Sequence, residues 1–208
     1  MRDLPGLLLI LVLWLYWARV AAMSHRVRRR TRRLAGIVPE QGLERVMWLL
    51  WVPLVAAWLT LPILALRSGD SRFALPAFAL DTPYSTVRWI AALGALGCLL
   101  ATWRVWRAMG KNWSMAVTAE RNRELLTEGP FARVRHPIYS LSLLLMLCSL
   151  GVVPTWPMFV VAAVHATLMI LKARNEERFL LDLHGEAYAR YCARTGRFLP
   201  RAASRHPA

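Results

Sequence analysis

Apolar residues in this chain fall into long blocks, and the charged residues are gathered between them. A bilayer-spanning helix needs about 20 mostly apolar residues, ~17 at the short end. Five blocks compete for that role: Pro5–Met23, Val46–Leu66, Val87–Trp106, Ile138–Val153 and Trp156–Leu171. The last two are somewhat short and are joined only by Pro154-Thr155, which makes them an antiparallel hairpin that crosses and returns. Pro53 and Pro62 fall inside the second block and are expected to kink it rather than end it. Gly94 and Gly97 give the third block a small-residue face suited to close helix packing. The pattern predicts an all-α, polytopic integral membrane protein of about five transmembrane helices with a cytoplasmic C-terminal helical segment.

Composition agrees. Of 208 residues, 57% are hydrophobic and 19% charged, against roughly 45–50% and about 25% in a soluble domain. A disordered tail, a disulfide-rich secreted module and an ordinary soluble enzyme are thereby excluded. Cys98, Cys148 and Cys192 have no metal-ligand or CxxC spacing, so neither a disulfide framework nor a metal site is implied. The first block carries its basic residues after the apolar run and has no clear cleavage site, so it reads as an uncleaved anchor rather than a signal peptide.

Net charge is +15, and its distribution orients the chain. With five spans, one face collects 23 of the 27 Lys and Arg and the other only Arg2, Arg67, Arg72 and Arg88. The positive-inside rule makes the rich face cytoplasmic and puts the N-terminus outside. Trp14, Trp17, Trp103, Trp106 and Trp156 lie near predicted span ends, as an interfacial belt would have them. The basic run from His25 to Arg33 is read as a topology and anionic-lipid element, each charge worth ~1 kcal/mol near the surface. No nucleic-acid partner is expected. Two regions follow: residues 1–109, an N-terminal membrane region of three spans with the basic loop 24–45, and residues 110–208, carrying the candidate chemistry.

Mixed charge is concentrated at Gly110–Tyr139 and Lys172–Pro200. In the first, Pro137 suits the opening turn of a helix, because its missing N–H would have no helical partner there. His136 then stands at or near the cap, with Arg133 and Arg135 beside it. Free N–H groups and the positive dipole end can hold a carboxylate or phosphate. Equally, His136 can cap the helix while the arginines snorkel to headgroups. In the second segment Lys172 and Glu176 are spaced i,i+4, and Arg174 and Glu177 i,i+3. These are either surface ion pairs worth ~0.3–0.5 kcal/mol each, or acids turned inward at the membrane boundary, where charge is costly and often functional. His165, mid-span, is expected to be a hydrogen-bonded packing residue. There is no GxGxxG and no strand pattern for a soluble dinucleotide fold.

Taken in order, Gly129-Pro130-Phe131-Ala132-Arg133-Val134-Arg135-His136-Pro137-Ile138-Tyr139 resembles the Gly-Pro-aromatic…Arg-His-Pro-x-Tyr motif of the isoprenylcysteine carboxyl methyltransferases and related membrane phospholipid methyltransferases. Glu176-Glu177, Leu180, Gly185, Tyr188, Tyr191 and Arg197-Phe198-Leu199-Pro200 are similar to that family's closing pattern. The resemblance covers about residues 110–200. It implies a membrane enzyme taking S-adenosyl-L-methionine from the cytoplasm and a lipophilic acceptor from the bilayer. Arg135, His136, Pro137, Ile138 and Tyr139 would then contact the cofactor. Phe131 and the main chain through Arg123, Glu124, Leu125 and Leu126 would enclose its adenosine end, and Glu176 would receive its amino group. Lys172 would face the acceptor, with Arg174 as its rival. An ionised carboxylate acceptor needs a cation and no general base; an amine would need one, and Glu177 or His136 would be the candidates. Leu141 stands where many relatives carry Gly, and Lys172 where they often carry Arg. Acceptor identity and oligomeric state stay open. A sterol-type reductase using reduced nicotinamide is the rival enzyme reading, through a similar His-Pro-x-Tyr element and Tyr191-Cys192; a non-enzymatic membrane scaffold is the third.

Overall fold

The computed structural model describes residues 3–31, 42–69, 72–110 and 125–201. Six α-helices run through them: α1 (Leu4–Thr31), α2 (Gly42–Arg67), α3 (Thr82–Met109), α4 (Pro137–Val152), α5 (Trp156–His184) and α6 (Glu186–Arg194). Short 3₁₀ turns precede α3 (Ala77–Leu80) and α4 (Gly129–Ala132). The helices α3, α4 and α5 each carry Pro in the first turn, where a missing N–H costs nothing. Pro53 and Pro62 lie within α2, which runs through both.

All five apolar blocks are helical. Four of the helices, α1, α2, α3 and α5, are long and apolar enough to cross a membrane, while α4 is a shorter apolar helix. Its 16 residues rise about 24 Å, less than the ~30 Å of a bilayer's hydrocarbon core. The α5 helix continues well beyond Leu171, so Lys172–Glu177 is a helical extension of the span itself.

Burial follows helical spacing. On α1 the inward stripe is Leu9, Val12, Leu13, Tyr16, Val20, Met23 and Val27, and Leu7, Leu11, Trp14 and Leu15 point outward. Large exposed apolar side chains recur on every long helix, Ile90 of α3 among them, and on the shorter α4 at Leu147, as they must where lipid replaces water as the solvent. The tightest approach is between α3 and α4. A Cβ on Gly151 would lie 2.8 Å from Ala91 Cβ, and one on Gly94 would lie 3.0 Å from Cys148 Sγ. Gly97 has open space around it, so the expected small-residue face is made by Gly94 with Gly151 and not by Gly97.

Several polar groups inside the bundle are paired across helices, since no water is available to them in a bilayer. Trp58 Nε1 donates to Ser149 Oγ at 2.9 Å, joining α2 to α4. At the end of the bundle where α1 begins, Arg88 of α3 is buried. It donates through Nε to Val152 O at 2.9 Å and pairs with Asp3 at 2.5 Å. That arginine, counted above as an outer-face charge, therefore ties α1, α3 and the α4–α5 hairpin together.

Candidate functional site

The site is assembled around the start of α4. Gly129 opens the preceding 3₁₀ turn at φ +59°, a conformation L side chains rarely adopt. The turn is held from behind: Tyr191 of α6 donates its hydroxyl to Phe131 O at 2.6 Å. Next, the C-terminal segment lies against residues 133–136 as a single parallel bridge, Val134 to Gly196. Arg135 N donates to Gly196 O at 2.8 Å and His136 N to Arg197 O at 3.1 Å. Ser140 Oγ reaches Phe198 O at 2.6 Å. A Cβ on Gly196 would fall 1.7 Å from Leu199 O, so only glycine fits this turn.

Glu177 is the hub beneath that strap. Its Oε1 accepts from Arg135 Nε at 2.9 Å, and its Oε2 from Arg197 Nε at 2.9 Å. His136 Nε2 lies 3.2 Å from Oε1. Arg135 also reaches the carbonyls of Cys192 and Thr195. These bonds hold α5, the end of α6 and the start of α4 in one charged cluster whose carboxylate is only 12% exposed. The Glu177 hydrogen bond raises the Arg197 guanidinium above its ordinary value. Burial pushes the Tyr191 phenol up to about 12 and raises Tyr188 as well, so both stay neutral near pH 7.

One residue earlier on α5, Glu176 Oε2 accepts from Tyr139 OH at 2.9 Å and lies 3.6 Å from His136 Nδ1. The His136 and Tyr139 rings stack at 5.1 Å with only 6° between their planes. His136 makes no side-chain cap to α4. Of the two readings left open for the Pro137 turn, the pure capping role is therefore excluded for His136, and Arg135 turns to Glu177 instead of snorkelling.

These side chains line a cavity of about 130 Å³. Of the residues singled out from sequence, Phe131, Arg135, His136, Pro137, Ile138, Tyr139, Lys172 and Glu176 all contribute to its wall. Glu177 is outside the lining, held by its three partners. Arg174 is exposed and also outside it. Its expected i,i+3 partner, Glu177, bonds Arg135, Arg197 and His136 instead. Leu125 and Leu126 are half-buried and not part of the wall, and Arg123 and Glu124 lie outside the described residues.

The remaining wall had no motif to announce it. Tyr16, Trp17 and Val20 of α1, Trp51 of α2 and Trp106 and Met109 of α3 complete the lining, with Ser142 and Met169 deeper in. Trp17 and Trp106 thus face the cavity rather than serving the interfacial belt expected of them; Trp14, Trp103 and Trp156 are the exposed ones. The only signal was the helical spacing of Tyr16 and Val20 with the buried stripe of α1. His165 lies behind Ser142, its Nε2 3.0 Å from Ser142 Oγ and its ring 5.0 Å from Trp58. Among the described residues no group of three His, Cys, Asp or Glu is arranged to hold a metal ion.

A lipid-exposed helical bundle with an ion-paired pocket where its helices turn polar defines a class: a polytopic integral membrane protein with its site at the ends of its spans. Residues 87–187, from α3 to the start of α6, match the model of the phospholipid methyltransferase family. Over that stretch the chain is similar to this family, one of the isoprenylcysteine carboxyl methyltransferase-like membrane proteins. It is also 33% identical over 114 residues to the cobalt-zinc-cadmium resistance protein CzcN of Cupriavidus metallidurans. That alignment takes in 54% of this chain and 50% of the relative, so the chain spans about half the length of the curated protein it matches.

Proposed function

We propose that this chain is a membrane methyltransferase that transfers a methyl group from S-adenosyl-L-methionine to a lipophilic acceptor drawn from the bilayer. One observation carries the reading: a single cavity is walled on one side by Glu176, His136, Tyr139 and the first turn of α4, and on the other by apolar and aromatic side chains of α1–α3. The donor set fits the group chemically. Glu176 offers a carboxylate for an ammonium, and a helix start favours a carboxylate through its unsatisfied N–H groups.

When bound, the cofactor supplies an electrophilic methyl. The chain's own part is to align two reactants and exclude water, which for an in-line displacement accounts for much of the barrier lowering. Glu176, steadied by Tyr139, binds the cofactor's amino group. His136, fixed between Glu176 and Glu177, holds the α4 mouth at a set distance from α5. Lys172, one turn deeper than Glu176 on the same face of α5, orients an acceptor carboxylate as a point charge. An ionised carboxylate needs no proton removed, so carboxyl methylation of an isoprenylcysteine-like substrate suits a cavity whose wall includes Lys172. Glu177, held by Arg135, Arg197 and His136, acts as a positioning residue rather than a base. The family name favours a second acceptor class, a phospholipid amine; there His136 is the base candidate within the lining. CzcN's name concerns resistance to cobalt, zinc and cadmium, and nothing in the described side chains supports direct metal binding as this chain's role. We place the cavity on the cytoplasmic side by the charge asymmetry, with the N-terminus outside.

The test is binding of labelled S-adenosyl-L-methionine to the purified protein in lipid nanodiscs, followed by methyl labelling of a membrane lipid extract. Wild type is expected to bind and to label a lipid. Loss of binding in Glu176→Ala and His136→Ala supports the site; binding that survives both changes overturns it.

A further inference from the structure

The cavity wall contributed by α1, α2 and α3 is aromatic where aliphatic packing would serve equally well against lipid. Tyr16 and Trp106 stand 5.1 Å apart between ring centroids, and Trp17 and Trp51 5.0 Å apart. Tyr16 and Trp17 meet edge-on at 5.4 Å, so the four rings form one continuous surface. All four line the cavity that Glu176 enters from α5. An aromatic surface beside a carboxylate suits a cation, because ring faces carry negative quadrupole potential. The Arg135 charge is met by Glu177 at 2.9 Å, which lessens its opposition to a cation here.

We infer that Tyr16, Trp17, Trp51 and Trp106 seat the cofactor's sulfonium, making α1, α2 and the end of α3 the part of the chain that distinguishes charged reactant from neutral product. The inference rests on the methyltransferase reading above. Transfer breaks the sulfur–methyl bond, leaves its electron pair on sulfur and forms a bond from methyl to the acceptor's attacking atom. The seat therefore faces a cation before the step and a neutral thioether after it. Attraction that holds the reactant is absent for the product, which eases release. The aromatic wall meets this contrast at the sulfur itself, while the amino acid and adenosine ends are the same in both ligands.

The experiment compares dissociation constants for S-adenosylmethionine and S-adenosylhomocysteine, by calorimetry on the full chain in nanodiscs, without acceptor. Trp51→Leu and Trp17→Leu are each expected to weaken the sulfonium ligand about tenfold, the scale of a desolvated cation–π contact, and the thioether less than twofold. Trp51→Phe, which keeps a ring face, is expected to restore most of the difference. Equal weakening of both ligands, or of neither, overturns the inference and leaves the wall a packing surface. Should both leucine variants fail to fold, growth on 5-fluorotryptophan draws electron density from the rings at nearly constant shape. The ratio must then shift in the same direction, by a smaller factor, and an unchanged ratio overturns the inference. Failure of wild type to bind either ligand refutes the methyltransferase reading instead, which keeps the two failures apart.

Discussion

Replacing Glu177 by Gln isolates the charge of the hub from its shape. The amide keeps one acceptor oxygen, so one bond to Arg135 or His136 survives, but the carboxylate facing Arg135 and Arg197 is lost. Arg135 is 12% exposed and Arg197 36% exposed, and the two losses differ accordingly. Removing one partner of a buried pair costs about 3–5 kcal/mol, because the other charge is left uncompensated. Arg135 retains carbonyl bonds to Cys192 and Thr195, which places its share near the bottom of that range, about 3 kcal/mol. The more exposed Arg197 pair adds less than about 1 kcal/mol. At about 2–4 °C per kcal/mol for a chain of this size, Glu177→Gln should lower Tm by roughly 6–16 °C. Arg197→Gln alone should lower it by no more than about 4 °C. The decisive comparison is the double variant Arg135→Gln/Glu177→Gln, in which the buried Arg135 charge is removed with its partner and only the more exposed Arg197 loses its carboxylate. It should be more stable than Glu177→Gln alone, since a buried pair replaced on both sides is often near neutral. Thermal unfolding in nanodiscs of wild type, Glu177→Gln, Arg135→Gln, Arg197→Gln and the double variant reads this directly. A Glu177→Gln variant within about 2 °C of wild type, or a double variant whose loss is the sum of the singles, would refute the hub.

Gly196→Ala must move the main chain of Leu199, since the new Cβ would lie 1.7 Å from its carbonyl oxygen; the strap should detach, with faster tryptic cleavage at Arg197 and Arg201 than in wild type. Lys172→Ala should raise the acceptor KM at least tenfold with little change in cofactor Kd, and Arg174→Ala, exposed and away from the wall, should change both less than twofold; equal effects of the two changes on KM would count against the assignment. Asp3→Asn strands Arg88, which is only 4% exposed, and should cost about 2–3 kcal/mol of stability after its bond to Val152 O is allowed for. Because that pair lies at the end of the bundle away from the cavity, cofactor Kd should stay within twofold, measured by calorimetry beside the unfolding scan.

The spans were legible because a bilayer demands uninterrupted apolar length, and composition cannot disguise that. The α4 start was legible for a local reason too: Pro137 tolerates the first turn and little else in a helix. What sequence spacing could not give was direction. Lys172, Arg174, Glu176 and Glu177 lie within two turns of one helix, and reading them as two ion pairs used only distances along α5. Tertiary partners decided otherwise: Arg135 and Arg197 drew Glu177 to the strap, and Tyr139 drew Glu176 to the cavity. Gly196 was invisible for a similar reason, its need for glycine arising from a carbonyl three residues on that folds back over it. The aromatic wall failed to show because Trp near a span end has two good uses, lipid interface and cavity, and the residue type fits both. Separating Trp14 from Trp17 takes only the rotation of α1, set by the stripe from Leu9 to Val27.

The length of α4 connects this geometry to the two solvents that the proposed lipid-modifying site must serve. If Val152, tied to Arg88, marks one boundary of the hydrocarbon, a 16-residue helix ends about 6 Å short of the other. On that placement His136 and the Pro137 turn lie recessed below the membrane surface. A charged recess of this kind is unfavourable unless every ion is matched, and the matching is supplied from above by α5, which continues as one helix past Leu171 and carries Glu176 and Glu177 to the recess. Lengthening α4 by one turn of Leu-Ala residues between Leu144 and Leu145 would raise the mouth by about 5.4 Å while leaving the helix face nearly in register. On this argument that insertion should break the Tyr139–Glu176 and His136–Glu177 contacts and abolish cofactor binding, although the spans still insert. Retained binding in the inserted chain would mean that the depth of α4 plays no part in forming the site.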